Sequence, residues 1–245
     1  MPALMGIVEI SLQNDMNKLS TASNNVSNVA TNGYKREIMM TAPFEYYLTD
    51  NGVNNIPTLK IVETDLQVRT VDMAQSNLTP TSSPLDLAIE GQGFFVIHTD
   101  KGVSYIRSGS FKIDNEGRLS TKDGHVLAGE SGDIRISVST PNITPNGEVW
   151  DGDQLAGKLM IVEISPDDRN ALTKDADGNF DAKNINFYQS DNSKVRQGNL
   201  ETSNVESSKE MISTIETLRH FELSQKLIHM QQEMFKSSID ALGTF

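Results

Sequence analysis

The chain has 245 residues, a net charge of −12, 37% hydrophobic and 6% aromatic residues, and no cysteine. That length admits one large or two modest domains, the acidic balance without a basic cluster argues against a nucleic-acid surface, and the lack of cysteine excludes disulfides and thiolate metal sites. No apolar run is long enough to span a membrane, and the opening "MPALMGIVEISLQND" lacks a basic n-region and is interrupted by Glu9, so it reads as cytoplasmic or as exported without a cleaved signal peptide.

The N-terminal segment predicts a helix. Met5, Leu12, Leu19 and Val26 fall seven apart, and Val8, Asp15, Ala22 and Val29 form a companion series that is apolar except at Asp15. Two interleaved sevenfold series make the seam of a coiled coil. The helix is expected to fade in the Asn-rich "SNNVSNVATNGYKR" of residues 23–36 and to stop near Asn32 and Gly33, where glycine supplies a left-handed cap. Side-chain amides compete for backbone hydrogen bonds, so Asn24, Asn25 and Asn28 are either tolerated on an exposed face or mark a packing surface where the chain turns.

Residues 45–80 are mixed, with "TLKIVETDLQVRTVD" extended and "NLTPTSSP" read as a linker. The centre reads as strands. "LDLAIEGQGFFVIHT" ends in a compact apolar run, "VSYIRSGSFKIDNEGRLSTKDGHVLAG" is a meander punctuated by Asn-Glu-Gly and Lys-Asp-Gly turns, and "DIRISVS" and "GKLMIVEIS" each alternate as one strand. "DADGNFDAKN" is a polar insertion, and "FYQSDNSKVRQGN" leads back to a terminal helix.

That last helix carries two overlapping start signals, Ser203 with Glu206 and Ser207 with Glu210, each fitting a capping box. A pattern free of Gly and Pro then runs to Leu242, roughly 50–55 Å of helix. One apolar stripe holds Leu218, Phe221, Ile228, Phe235, Ile239 and Leu242, and a second, nearly opposite, holds Leu223, Leu227, Met230 and Met234. One intrachain partner needs one apolar face, so two faces call for two neighbours. Self-assembly supplies the second, or the chain's own β domain covers it.

Candidate chemistry is sparse. Gly91-Gln92-Gly93 begins a dinucleotide fingerprint, but Val96 stands where a third glycine belongs and a strand follows, so close backbone approach at a bend explains the glycines better. In "DADGNFD", Gly178 comes too early for a calcium loop and Asn186 replaces the closing glutamate. His98, His125, His220 and His229 have no metal-ligand spacing. "RSGSF", with Ser108 and Ser110, lacks the first glycine of a nucleophile elbow, and Asp167 and Asp168 lie in a polar turn. These patterns support no catalytic, cofactor-binding or metal residue and no small-molecule substrate. A cell-wall glycan hydrolase and a secreted coiled-coil adhesin remain as alternative readings.

The Asn-rich stretch nevertheless resembles the N-terminal signature of the flagellar axial family of rod and hook proteins. The matching positions are Asn24, Asn25, Asn28, Thr31, Gly33, Tyr34, Lys35 and Arg36, with Ser23 and Ser27 in place of the usual alanines. "PLDLAIEGQGFFVI" and "YIRSGSFKIDNEGRLSTKDGHVLAG" resemble the family's central block, with Tyr105-Ile106-Arg107 for Tyr-Thr-Arg. The C-terminal signature is matched at Gly198, Leu200, Glu201, Ser203, Asn204, Val205, Glu210, Met211, Ile215, Arg219, Phe221, Glu222 and Lys226. Residues 71–85 depart from the family wording, Ser76 replacing a glycine and Ser82 standing near another.

The resemblance implies a non-enzymatic structural subunit of mixed α and mainly β class. Its long N- and C-terminal helices would pair in a coiled-coil-like inner domain, with a central all-β outer domain. The implied segments are the N-terminal helix over 1–44, an extended linker over 45–82, the β domain over 83–196 and the C-terminal helix over 197–245. Implied partners are other rod subunits and the flagellar export apparatus, with no nucleic acid, and the implied location is the rod where it crosses the periplasm, reached without a cleaved signal peptide. Length favours a rod protein over the longer hook protein, and the proximal over the distal of the two larger rod proteins. Helical stacking without closure would build the tube. The expected interface residues are Leu12, Leu19, Asn24, Asn25, Val26, Asn28, Thr31, Gly33 and Tyr34 at one end of the chain. At the other they are Leu218, Phe221, Leu223, Leu227, Ile228, Met230, Met234, Phe235, Ile239 and Leu242.

Overall fold

A computed structural model describes residues 2–41, 67–138, 140–165, 172–174, 178–181, 187–189 and 193–242. Two long helices, α1 (Pro2–Ser27) and α2 (Ser207–Leu242), lie at the chain ends, and the region between them is largely β. The chain divides into two compact units. One comprises α1 up to Asn24, Ile38–Arg69 and α2 from Ser208; the other comprises Asn25–Glu37 and Thr70–Ser207.

Along α1 the seam positions Val8, Leu12, Leu19 and Val26 are half-buried and Asp15 and Ala22 are buried, whereas Ile10 and Met16 are exposed. The helix stops at Ser27, five residues short of Asn32. Amides of Asn28, Val29 and Thr31 bond to carbonyls three residues back, so tight turns replace the helix. Gly33 adopts φ +73° beyond those turns, and its N–H reaches the carbonyl of Glu201 instead of capping the helix.

A two-stranded ribbon follows, β1 (Glu37–Thr41) with β2 (Gln67–Val71); the rest of the expected extended stretch, residues 45–66, lies outside the described residues. The expected linker is not unpaired: β3 (Leu78–Pro80) carries it into an antiparallel pair with β20 (Asn199–Glu201), Thr79 facing Leu200. Pro80 sits at the end of this short pair, where its missing N–H costs least.

The centre of the β unit is β5 (Phe94–Thr99). One edge pairs along its length with β6 (Gly102–Ile106), while the other pairs first with β15 (Ile161–Ile164) and then with β10 (Val126–Gly129). Its side chains alternate between two apolar clusters. Phe95 and Ile97 join Leu87, Leu119, Leu127 and Val149, while Phe94 and Val96 join Val71, Val162, Leu172 and Phe180. A strand buried on both faces reads as a continuous apolar run, which is why "FFVI" shows no alternation.

Strands β4 (Asp86–Glu90) and β7 (Ser108–Ser110) pair, and β19 (Lys194–Gln197) covers the other edge of β4. The meander continues through β8 (Lys112–Ile113) and β9 (Leu119–Ser120) into β10, which turns back into β11 (Gly132–Asp133). The expected strand "DIRISVS" joins a ladder at Asp133 and a single bridge at Arg135, and Ile134 and Ile136 alternate inward from exposed Arg135 and Ser137. Strands β12 (Asn142–Ile143), β13 (Glu148–Asp151) and β14 (Gln154–Lys158) form a small separate sheet. "GKLMIVEIS" therefore divides: its beginning ends β14, and after a break at Met160 the remainder is β15.

The polar insertion contains a core strand. In β16 (Thr173–Lys174) and β17 (Phe180–Asp181), Phe180 is buried, faces Tyr105 across the ladder and packs edge-on against Phe94 with centroids 5.3 Å apart. Its residues 175–177 and 182–184 lie outside the described residues. Strand β18 (Phe187–Gln189) pairs with β15 and stacks Phe187 on Tyr105 at 4.0 Å.

Helix α2 begins at Ser207, the second start signal, while the Ser203 hydroxyl accepts the Val205 amide in the preceding turn. Its better-covered positions are Glu210, Thr214, Thr217, Phe221, Ser224, Ile228 and Gln231, spaced four and three apart. One contact between the helices joins Asp15 Oδ2 on α1 to His220 Nδ1 on α2 at 2.6 Å.

Candidate functional site: a buried junction and an uncovered helix face

The β unit holds a polar junction built from all three sequence signatures. Asn25, on the last turn of α1, donates through Nδ2 to the Glu37 carbonyl at 2.9 Å, and its Oδ1 accepts the Glu37 amide at 2.9 Å. One side chain thus substitutes for a strand partner, and the Tyr34 hydroxyl donates to the same oxygen at 3.2 Å. This accounts for one of the asparagines: the amide locks the reversal that follows α1. Asn204 does the converse job just before α2. It accepts the Arg36 amide at 2.6 Å and donates to the carbonyls of Asp72 and Ala74.

Beneath these amides lies an ionic triad. Glu201 is wholly buried; its Oε1 accepts Lys35 Nζ at 2.7 Å and the Ser76 amide at 2.9 Å, and its Oε2 accepts Arg107 Nε at 2.9 Å. Lys35 also donates to the Ala74 carbonyl at 2.7 Å, and Arg107 donates through its two terminal nitrogens to the carbonyls of Gly93 and Gly91. This explains the Gly-Gln-Gly bend. A Cβ on Gly93 would lie 2.7 Å from Ile161 Cγ2 and 2.8 Å from Ser193 Oγ, so only glycine brings the carbonyls to Arg107 under that cover. Burial pulls the Lys35 ammonium below its ordinary value, with Glu201 opposing and Arg107 adding to the fall.

Lys174 closes the outer side. Its ammonium sits 3.5 Å from the Tyr34 ring centroid, donates to the Lys35 carbonyl and stands 3.4 Å from the Glu37 carboxylate. Burial lowers its pKa as well, against the pull of Glu37. Each of these charged groups is engaged by protein, so what the junction can do is fix backbone.

The second feature is α2. Leu223, Leu227, Met230 and Met234 are all exposed, Leu223 at 59% and Met234 at 64%, and Met211, Ile212, Ile215, Leu218 and Phe235 are exposed with them. Phe221 and Ile228 are half-buried, and the side chains of Ile239 and Leu242 lie outside the described residues. The covered stripe is thus mostly polar, and most of the apolar surface is turned outward.

Of the residues singled out from sequence, Asn25, Gly33 and Tyr34 meet in the junction, while Asn28 accepts the Thr31 hydroxyl at 3.1 Å in the turn beyond α1 and Asn24 is exposed. Leu12, Leu19 and Val26 lie along the half-buried seam of α1. Sequence reasoning missed Glu201, Arg107, Asn204, Ser76 and Lys174 as members of one site. The first three lie inside the signature motifs, but nothing in a linear pattern says that a glutamate and an arginine 94 residues apart share a carboxylate contact.

Both features lie in segments that resemble known proteins. Residues 88–150 match the model of the flagellar hook protein FlgE/F/G D1 domain, and residues 196–241 match that of the flagellar basal body rod FlgEFG protein C-terminal region. The chain is 29% identical over 230 residues to the flagellar basal-body rod protein FlgF of Caulobacter vibrioides, covering 92% of each. It is 27% identical over 242 residues to the flagellar basal-body rod protein FlgG of Buchnera aphidicola subsp. Schizaphis graminum, covering 89% of this chain and 91% of the relative. The flagellar hook protein FlgE of Brucella abortus is 36% identical, but over 118 residues that make up 48% of this chain and 28% of that protein. The matched segments carry Arg107 in the central block, Glu201 at the last strand and the uncovered apolar face of α2, and the two family models and the rod-protein relatives together support the flagellar basal-body rod protein family for this chain.

Proposed function

We infer that this protein is a structural subunit of the flagellar rod that assembles with like subunits through the outward apolar face of α2, and that it is the proximal, FlgF-like member. The observation carrying the assembly role is the exposure of Leu223, Leu227, Met230 and Met234 along one helix. Large apolar side chains in a continuous strip lose free energy to water unless something covers them, and such a strip marks an interaction surface. Neighbouring rod subunits are the cover that family membership supplies. Pairing of α1 with α2 in a coiled-coil-like domain is part of this reading, supported by the seam along α1 and the Asp15–His220 contact. So are export through the flagellum's own apparatus and residence where the rod crosses the periplasm.

The chain's 245 residues support the proximal over the distal paralogue. Complementation separates the two: this gene is expected to restore swimming to a strain lacking FlgF and not to one lacking FlgG. The assembly role is tested with the quadruple variant Leu223→Ser, Leu227→Ser, Met230→Ser, Met234→Ser. Because those positions are already wet, the purified variant is expected to keep the parent's β-unit unfolding within ~0.5 kcal/mol, yet to build no rod and support no swimming. Intact rods with normal motility in that background would overturn the proposal.

A further inference from the structure

The carboxylate at the centre of the junction comes from a late segment of the chain. Lys35 and Arg107 are both buried, and among the described residues Glu201 is the one carboxylate within ion-pair distance of either. It follows Lys35 by 166 residues and Arg107 by 94. The same residue also supplies backbone closure: its carbonyl accepts the Gly33 amide at 2.7 Å, and its amide donates to the Ser108 hydroxyl at 3.0 Å. The strands that deliver it are the last in the chain. β19 completes β4 and β20 completes β3, so neither is finished until residues 194–201 are present.

Without Glu201, Lys35 and Arg107 would be two desolvated cations facing one another. Removing the shared partner of a buried charge is strongly unfavourable, so the segment carrying Lys35 would stay hydrated rather than close. With Glu201 in place, both cations, the Ser76 amide and the Gly33 amide are satisfied together. We propose that Glu201 is a closing pin: the reversal after α1 and the segment around Ser76 lock onto the β unit only when the chain's final strands bring this carboxylate between Lys35 and Arg107. A chain made from its N-terminus therefore keeps its N-terminal root open until its C-terminal segment has arrived.

Amide exchange on the full-length protein tests this. In Glu201→Gln, which keeps the shape and removes the charge, the Gly33 and Ser76 amides are expected to exchange at least ~100-fold faster than in the parent, while amides of β5 and β10 change less than ~10-fold. Lys35→Gln leaves Arg107 paired with Glu201, so the same two amides should stay within ~10-fold of the parent. Equal damage from both substitutions, uniform loss across junction and core, or no loss in Glu201→Gln would each overturn the proposal. Should Glu201→Gln fail to fold, exchange of the unmodified protein across a urea series decides the matter: Gly33 and Ser76 opening in their own event below global unfolding supports the pin, and their merging with the core amides refutes it.

Discussion

Asn25 shows how much one side chain does at this fold's turning point. Its amide is buried and satisfies both the N–H and the C=O of Glu37 at the start of β1. Truncation to alanine leaves a donor and an acceptor without their partner in a partly buried place, so Asn25→Ala is expected to cost about 2 kcal/mol in the urea unfolding of the β unit. Asn25→Asp should be no better, because a carboxylate oxygen would replace the donor that faces the Glu37 carbonyl. A loss under ~0.5 kcal/mol for the alanine variant would remove Asn25 from the junction. The sequence marks this residue as one asparagine among several. Only the folded chain distinguishes Asn25, which is clamped, from Asn24, which is exposed, since the two differ by one step around a helix.

At the level of elements, the insertion around Phe180 departs furthest from its sequence. Polar, glycine-bearing segments read as solvated turns because little in them rewards burial. Here one aromatic residue decides the outcome: Phe180 packs on Phe94 and joins Leu172 and Val162 in the second apolar cluster, tying β17 to β6. Phe180→Ala is therefore expected to destabilise the β unit by about 3 kcal/mol through lost burial and the cavity left behind, read as a shift in the denaturant midpoint at unchanged slope. A cost below ~1 kcal/mol would return the hairpin to the surface. The helices teach the opposite lesson. Their existence and the stripes of α2 are plain from spacing, but which stripe faces inward is not, because both apolar stripes satisfy the same period.

Across the whole molecule, stability is unevenly shared. The β unit has two apolar clusters and the ionic triad within it, whereas α2 buries mostly Glu210 and Ser224 and leaves its large apolar residues in water. Helices gain most of their stability from packing an apolar face, so helical structure should melt before the β unit in the isolated chain. Trp150 is the chain's one tryptophan and lies in β13, so its fluorescence reports the β unit while ellipticity at 222 nm reports mainly the helices. The two signals are expected to give separate thermal transitions, the helical one at lower temperature and moving upward as concentration promotes assembly. A single shared transition at every concentration would show that the helices are already stabilised within one chain.

Periodicity alone determined the helical ends, the β-rich middle and the double-faced character of α2, because each depends on residues a few positions apart and on the fixed 3.6 and 2.0 repeats of the backbone. The motifs were equally legible, since a signature is a local string. What only the tertiary structure decided was the meaning of the charges. Lys35, Arg107 and Glu201 are ordinary surface residues by composition, and their burial becomes tolerable only when three distant segments bring opposite charges within hydrogen-bond reach. Desolvation and Coulomb attraction depend on distance through space, and no pattern along the chain encodes that distance.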